Sequence, residues 1–418
     1  MGRYAIVGFG CAGYQAAVGL RANDQKAEIH VFSETDAPPA NPMLTTWYVK
    51  GLIPRERLFP FGSLEDISKT LNIRFHGGQR VEALLAAEKK LKTPAGITES
   101  FDAILLATGA ETFVPPVPGI DHPRVAQMRT VADADRLKDM LAGNRPGKAL
   151  IVGASMTGIK VAEIFESLGA DCVMADQAEW IFPMAALEPI GRRIMARLQA
   201  RGVAMRFGLA LERIIPAEDG LTACFKGGEN IKADLVALCV GARARTDLAR
   251  EAGLECGRGI RADAAMRSSQ PGIYVAGDCC EAGELQSGQP MVIGLWANAA
   301  LQGRVAGRNM AGGRVWGPPG VLQNISHFFG MDFIGVGGVD PGKADIRIFE
   351  NDEYFIAAAQ KEGRLSCLNI LGPPHGGGVL KSRMLKALAG LKSDQAEQFG
   401  LLSRYGLPRD FLAFLDRD

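Results

Sequence analysis

The chain of 418 residues has eight cysteines, yet no two are spaced as C-x-x-C and none fall at metal-ligand intervals. That absence argues against a metal centre, or an iron–sulfur cluster held by this chain alone. There is also little net charge: 47 basic residues against 46 acidic ones give +1, with five histidines. A general binder of nucleic acid or of anionic membrane would need a stronger imbalance. No uninterrupted apolar run approaches the ~18 residues of a membrane span. Strand character begins at Tyr4, which leaves no stretch for a signal or transit peptide. After the opening Met-Gly, Ile6 stands where a myristoylation signal requires Ser or Thr. The expectation is a soluble, cytoplasmic protein of two or three domains.

Glycine, by contrast, is plentiful, with 51 residues, and hydrophobic content is 47 %. Both suit an α/β protein with many tight strand-to-helix turns. The apolar run Tyr4 to Val7 stops at Gly8-Phe9-Gly10-Cys11-Ala12-Gly13, and a helical pattern follows through Tyr14, Ala17, Val18 and Leu20. Strand, G-x-G-x-x-G and helix in that order form the context of a dinucleotide fingerprint. Gly8 permits the turn, Gly10 lets the backbone approach a pyrophosphate, and Gly13 allows close helix–strand packing. The helix N-terminus offers N–H groups and partial positive charge to the phosphates. A second strand, Glu28 to Ser33, ends at Glu34, placed to accept hydrogen bonds from a ribose.

The same grammar returns about 145 residues later. Lys148 to Val152 reads as a strand, followed by Gly153-Ala154-Ser155-Met156-Thr157-Gly158 and a helix through Ile159, Val161, Ala162, Ile164 and Phe165. Ser155 replaces the middle glycine with a residue small enough for phosphate approach. The next strand, Asp171 to Ala175, ends at Asp176, an acid that binds a ribose 2′-hydroxyl and repels a 2′-phosphate. Gln177, Ala178 and Glu179 supply no arginine for NADP, so NADH is preferred. Further apolar strands run from Phe101 to Ala107, ending in Ala107-Thr108-Gly109, from Leu235 to Gly241, and from Ile273 into Gly277-Asp278. Trp296 to Met310 reads as a long helix. Pro115-Pro116-Val117-Pro118-Gly119 and Pro318-Pro319-Gly320 mark boundaries. The last hundred residues or so read as strands (Phe333 to Gly338, Ile346 to Phe349, Tyr354 to Ala359, Leu365 to Ile370) and then helices.

Two glycine loops, Ala-Thr-Gly at 107–109 and strand-Gly-Asp at 277–278 together resemble the pyridine nucleotide–disulfide oxidoreductase superfamily over nearly the whole chain. The resemblance implies two Rossmann-like dinucleotide-binding domains and a C-terminal α+β interface domain. The FAD domain would be split into 1–113 and 243–315, with the NAD domain (114–242) inserted and residues 316–418 last. It also implies that Gly8, Gly10, Cys11, Ala12, Gly13 and Glu34 hold the adenosine diphosphate half of FAD, with Arg80 and Val81 near the adenine. Ala107, Thr108, Gly109, Thr45 and Thr46 would lie near the cofactor, with Gly277 and Asp278 at its ribitol. The helix opening at Trp296 and Ala297 would point its N-terminus at the flavin N1–C2=O edge, stabilising reduced flavin. Gly153, Ser155, Met156, Thr157, Gly158, Asp176 and Gly241 would hold NAD.

The departures from the family carry information. Its disulfide reductases place cysteine after the second strand, whereas Asn41-Pro42-Met43-Leu44-Thr45-Thr46 contains none. Thiol–disulfide chemistry at the flavin is therefore not expected. Cys172 and Cys239 read as buried hydrophobes, and adjacent Cys279-Cys280 as a pair too strained to bridge. The cysteine-less branch comprises rubredoxin, ferredoxin and nitrite reductase flavoproteins, which exchange electrons between a nicotinamide and an iron–sulfur or iron partner. In that branch a lysine in this loop pairs with a glutamate after the second glycine motif; here those positions read Thr46 and Lys160. The expectation is that the cation has changed sides, with Lys160 approaching flavin N5 and favouring the anionic reduced form.

The segments NPMLTTWYVKGLIP, FPFG, FHGG, VGASMTGIKVAE and ISHFFG further resemble NADH-binding flavin subunits of 2-oxoacid:acceptor oxidoreductase complexes, of the phenylglyoxylate dehydrogenase type. The implied reaction is hydride exchange between NAD(H) and FAD, with one-electron exchange to an iron–sulfur protein or subunit, in a hetero-oligomeric complex or a homodimer. A free-standing NADH oxidase or reductase, and a flavin-bearing scaffold or redox sensor, are the alternatives. His327 and His375 read as structural histidines.

Overall fold

The first strand, Arg3–Val7, is buried along its length because four successive apolar residues leave no polar face for water. It pairs in parallel with Glu28–Phe32 on one side and Ala103–Leu106 on the other, with Val7 opposite Phe32 and Leu106. Ile273–Val275 and Ile73–His76 complete a five-stranded parallel sheet. Strand order reverses beside Arg3–Val7, so its carboxyl end opens on the crevice where α/β sheets take ligands. The computed structural model describes residues 1–143, 145–339, 344–362, 364–373, 377–392, 394, 399–401 and 404–415.

The chain divides into two compact units. The first contains Met1–Phe113, Arg129–Val131 and Ala242–Gly320, and the second contains Val114–Met128, Ala132–Gly241 and Val321–Asp418. In the first, the helix Cys11–Asn23 packs against the helix Trp296–Met310 through glycines. A Cβ on Gly303 would collide with the carbonyl of Ala12, and one on Gly307 with that of Ala16. The two backbones are thus closer than side chains would allow.

The second unit repeats the architecture. Ala204–Phe207, Asp171–Asp176, Lys148–Val152, Leu235–Leu238 and Val125–Gln127 form a second five-stranded parallel sheet in that order. A three-stranded antiparallel sheet, Leu211–Ala217, Gly220–Phe225 and Asn230–Ala233, adds to its core. The C-terminal part is an antiparallel sheet ordered Gln323–Phe328, Met331–Gly337, Arg364–Gly372, Phe355–Lys361 and Asp345–Glu350. Ile334, Val336, Ile356, Leu368 and Ile370 pack against Leu380, Met384, Phe411 and Leu412 from helices Gly377–Leu388 and Arg409–Leu415. The fold is α/β with two Rossmann-like sheets and an α+β C-terminal portion, as the sequence implies. The sequence reading omits the strand Gln323–Phe328, whose exposed and half-buried residues give little apolar signal.

Candidate functional site

The first glycine loop is assembled from segments far apart in sequence. Gly8 has φ +96°, a region that favours glycine, and a Cβ there would strike the Ala107 carbonyl. Ala107-Thr108-Gly109 therefore sits directly on the turn. Gly277, at φ +85°, packs on Ala12, its N–H bonded to Gln302 Oε1 at 2.9 Å. The Cys11 thiol lies 3.7 Å from the Trp296 carbonyl. One place thus gathers Gly8, Gly10, Cys11, Ala12, Gly13, Ala107, Thr108, Gly109, Gly277, Asp278 and Trp296.

Gly10 precedes the helix Cys11–Asn23 with no side-chain cap, and a Cβ there would meet nothing within 4 Å. A dipolar helix end facing open space fits the diphosphate of a dinucleotide. The helix Trp296–Met310 likewise begins without a side-chain cap, with Trp296 half-buried and Ala297 exposed. Thr45 and Thr46 are buried in the short helix Thr45–Val49, and Thr45 Oγ1 donates to the Pro42 carbonyl at 2.8 Å.

Three side chains here take partners that no local pattern announces. Asp278 pairs with Arg129, Nη2 to Oδ2 at 2.7 Å, while Arg129 Nε donates to the Ala110 carbonyl at 2.9 Å. Glu34 receives Arg245 Nη1 at 3.2 Å and lies 3.5 Å from Arg80 Nε, which brings Arg80 to the acid at the end of the second strand. Thr108 Oγ1 donates to the Arg245 carbonyl at 3.0 Å. Val81 is buried beside Arg80. Sequence reasoning missed Arg129 and Arg245. No spacing rule reaches across the 149 and 211 residues separating them from Asp278 and Glu34.

In the second unit, Gly153 has φ +106°, and a Cβ on it would strike the Cys239 carbonyl. Ser155 does more than stay small. It caps the helix Met156–Ser167, accepting from Gly158 N–H at 3.2 Å and donating to the Cys239 carbonyl at 2.9 Å. The Asp176 carboxylate accepts from Ala154 N–H at 2.6 Å and Ala178 N–H at 2.8 Å, fixing its position at the strand end. Gly241, at φ +105°, ends the stretch after Leu235–Leu238. Met156 and Thr157 occupy the first helical turn.

Lys160, two residues beyond Gly158, donates its ammonium to the His327 carbonyl. Glu163, one turn on, accepts the Phe329 N–H at 2.9 Å. The His327 ring bonds Asp332 through Nδ1 at 2.8 Å. His375 lies outside the described residues.

All eight cysteines are unbridged. Burial pushes the thiols of Cys11, Cys172, Cys239 and Cys367 up to about 12, and raises those of Cys279 and Cys280. A thiol held so far from ionisation supplies no nucleophilic thiolate. Among the described residues there is no cluster of three or more potential metal ligands, and no helix long and apolar enough to cross a membrane.

Known proteins carry the same design. The chain is 26 % identical to the NADH-dependent phenylglyoxylate dehydrogenase subunit epsilon of Aromatoleum evansii, over 92 % of this chain and 91 % of that one. It is also 26 % identical to the rubredoxin–NAD(+) reductase of Pseudomonas putida, over 90 % and 97 %. The fold matches the water-forming NADH oxidase of Lactobacillus brevis bound to NADH with a TM-score of 0.90, at 21 % identity, over 100 % of this chain and 97 % of that one. The pattern described as pyridine nucleotide-disulphide oxidoreductase spans residues 2–303, and with both glycine loops in place the chain belongs to that family of FAD- and NAD(H)-dependent oxidoreductases.

Proposed function

We propose that this chain passes electrons between NAD(H) and a one-electron iron–sulfur partner, as the flavin subunit of a cytoplasmic assembly of the 2-oxoacid oxidoreductase kind. The observation carrying the reading is that Thr45 and Thr46 stand where thiol chemistry would need sulfur, while every cysteine in the chain is unbridged. Near-full-length similarity to a phenylglyoxylate dehydrogenase subunit and to a rubredoxin reductase supports the partner class. FAD, when bound, supplies two-electron exchange with a nicotinamide and one-electron exchange with an iron–sulfur centre.

In this reading the split segments 1–113 and 243–315 form the FAD domain, 114–242 the NAD domain, and 316–418 the interface domain. The amides after Gly10 bind the FAD diphosphate, Glu34 and Arg80 its adenosine, and Asp278, held by Arg129, its ribitol. The N-terminus of Trp296–Met310 would offer partial positive charge to the bound flavin and so favour its reduced form. Ser155, Gly158 and Asp176 bind NADH, and Asp176 disfavours NADPH by repelling a 2′-phosphate. Lys160 would supply the positive charge that favours the reduced flavin; an ammonium has three donors, so bonding one carbonyl leaves its charge intact.

Anaerobic titration of the flavin-loaded protein with NADH tests this. Full bleaching of the flavin, followed by rapid reoxidation by a rubredoxin or a ferredoxin and slow reoxidation by oxygen, is expected. Fast, complete turnover with oxygen alone would assign a free-standing oxidase instead. Flavin that stays oxidised at saturating NADH would leave only a scaffold or sensor.

A further inference from the structure

Three large apolar side chains of the first unit lie exposed within one short excursion of the chain: Met43 at 61 %, Trp47 at 43 % and Leu52 at 65 %. The excursion is closed at its base, where the Asn41 N–H donates to the Leu58 carbonyl at 2.8 Å. Its inner side is anchored by buried Thr45, Thr46, Tyr48, Val49 and Leu58. Met43 and Trp47 stand one turn apart on consecutive helical segments, and the Leu52 N–H donates to the Trp47 carbonyl at 3.0 Å. A single exposed leucine needs no explanation, but a tryptophan, a methionine and a leucine on one anchored loop do.

The same excursion is basic. Its sequence holds Lys50 (half-buried) and Arg55 and Arg57 (both exposed) against one acid, Glu56, although the whole chain carries just +1. The Arg55 guanidinium is steadied over the Phe59 ring, 5.8 Å from its centroid. Exposed Trp, Met and Arg together are the residue types that interface cores collect.

On the strength of the function proposed above, we propose that residues 41–59 are the docking surface for a small acidic iron–sulfur electron carrier. A cluster ligated by four thiolates bears net negative charge, and the cations complement it. A second copy of this chain would bring the same cations face to face, and like-charge juxtaposition disfavours self-association here. The surface also shares its short helix with Thr45 and Thr46, so a carrier seated on it would lie beside the residues assigned to the flavin.

The test uses the flavin-loaded protein, with a small acidic two-iron ferredoxin as probe and ferricyanide as a diffusible acceptor that needs no docking. In R55E/R57E and in Trp47→Ala, the KM for the ferredoxin is expected to rise about tenfold or more. The charge-reversed variant should also lose the rate enhancement seen at low salt. NADH–ferricyanide turnover should stay within about twofold of wild type, since these are exposed substitutions. Wild type and variants reducing the ferredoxin equally well would overturn the docking surface and leave the proposed function standing. A wild type that takes electrons from NADH but never passes them to the ferredoxin would overturn the proposed function, and the surface with it. Two other results would reassign the surface: a dimer that R55E/R57E dissociates, or binding to phosphatidylserine vesicles that R55E/R57E abolishes.

Discussion

Arg129 and Asp278 meet in a half-buried pair at 2.7 Å, side chains 26 % and 27 % exposed, with the arginine also tied to the Ala110 carbonyl. The pair fixes where the carboxylate points, and a carboxylate in the wrong rotamer could not receive the ribitol hydroxyl proposed for it. Arg129→Met is expected to weaken FAD binding about tenfold, an effect comparable to losing one charge-assisted hydrogen bond, read from flavin retained on dialysis. Retention equal to wild type would reduce Arg129 to a surface ion pair. Lys160→Met removes the charge proposed beside the flavin, and flavin reduction by NADH in a single turnover should slow by about tenfold or more. An unchanged rate would confine Lys160 to its bond with the His327 carbonyl. Asp278 is legible in the sequence because the strand Ile273–Val275 runs straight into Gly277-Asp278. Arg129 is not, because a guanidinium finds its carboxylate by packing rather than by spacing.

The helices Cys11–Asn23 and Trp296–Met310 touch through backbone at Gly303 and Gly307. A methyl at Gly303 would meet the Ala12 carbonyl, inside the first glycine loop. Gly303→Ala should therefore cost about 1–3 kcal/mol in thermal unfolding, as overpacking does, and lower flavin content together with it. A variant that melts like wild type with full flavin would show that the helices can separate freely. Both bounds of Trp296–Met310 were readable from its apolar spacing, but not which helix it faces. Ser155 makes the same point on a smaller scale. Its size and its local cap on Gly158 lie within one short stretch, whereas its bond to the Cys239 carbonyl reaches 84 residues along the chain.

For the molecule as a whole, response to acid follows from a cluster on the first sheet. His30 Nδ1 lies 3.0 Å from His76 Nε2, and His30 Nε2 lies 3.0 Å from Glu28 Oε1. A carboxylate only accepts, so His30 Nε2 carries the proton, and neutral His30 accepts at Nδ1 from His76. Burial holds both histidines below their ordinary 6.5, and the His30 hydrogen bond holds Glu28 below its ordinary 4.5. The unfolded chain then binds more protons than the folded one below about pH 6.5, so stability falls as pH drops through that range. It falls further below about pH 4.5, as Glu28 protonates. Melting temperature measured from pH 7.5 to 4 should decline in that order, and His76→Phe should flatten the decline that begins below about pH 6.5. A slope identical to wild type would place the acid sensitivity elsewhere.

From the amino-acid order alone came the elements whose signal is local: both glycine loops, the buried parallel strands beside them, the acids at the second strand ends, and the lack of a thiol pair. Steric limits at glycine, apolar runs and turn chemistry act over a few residues, so they survive without the fold. Tertiary structure alone decided the partners of those acids and bases: Arg129 for Asp278, Arg245 for Glu34, and the His327 carbonyl for Lys160. Those contacts span 149, 211 and 167 residues. Their energy depends on distance and burial, and neither is encoded in sequence spacing until the sheets and helices have packed.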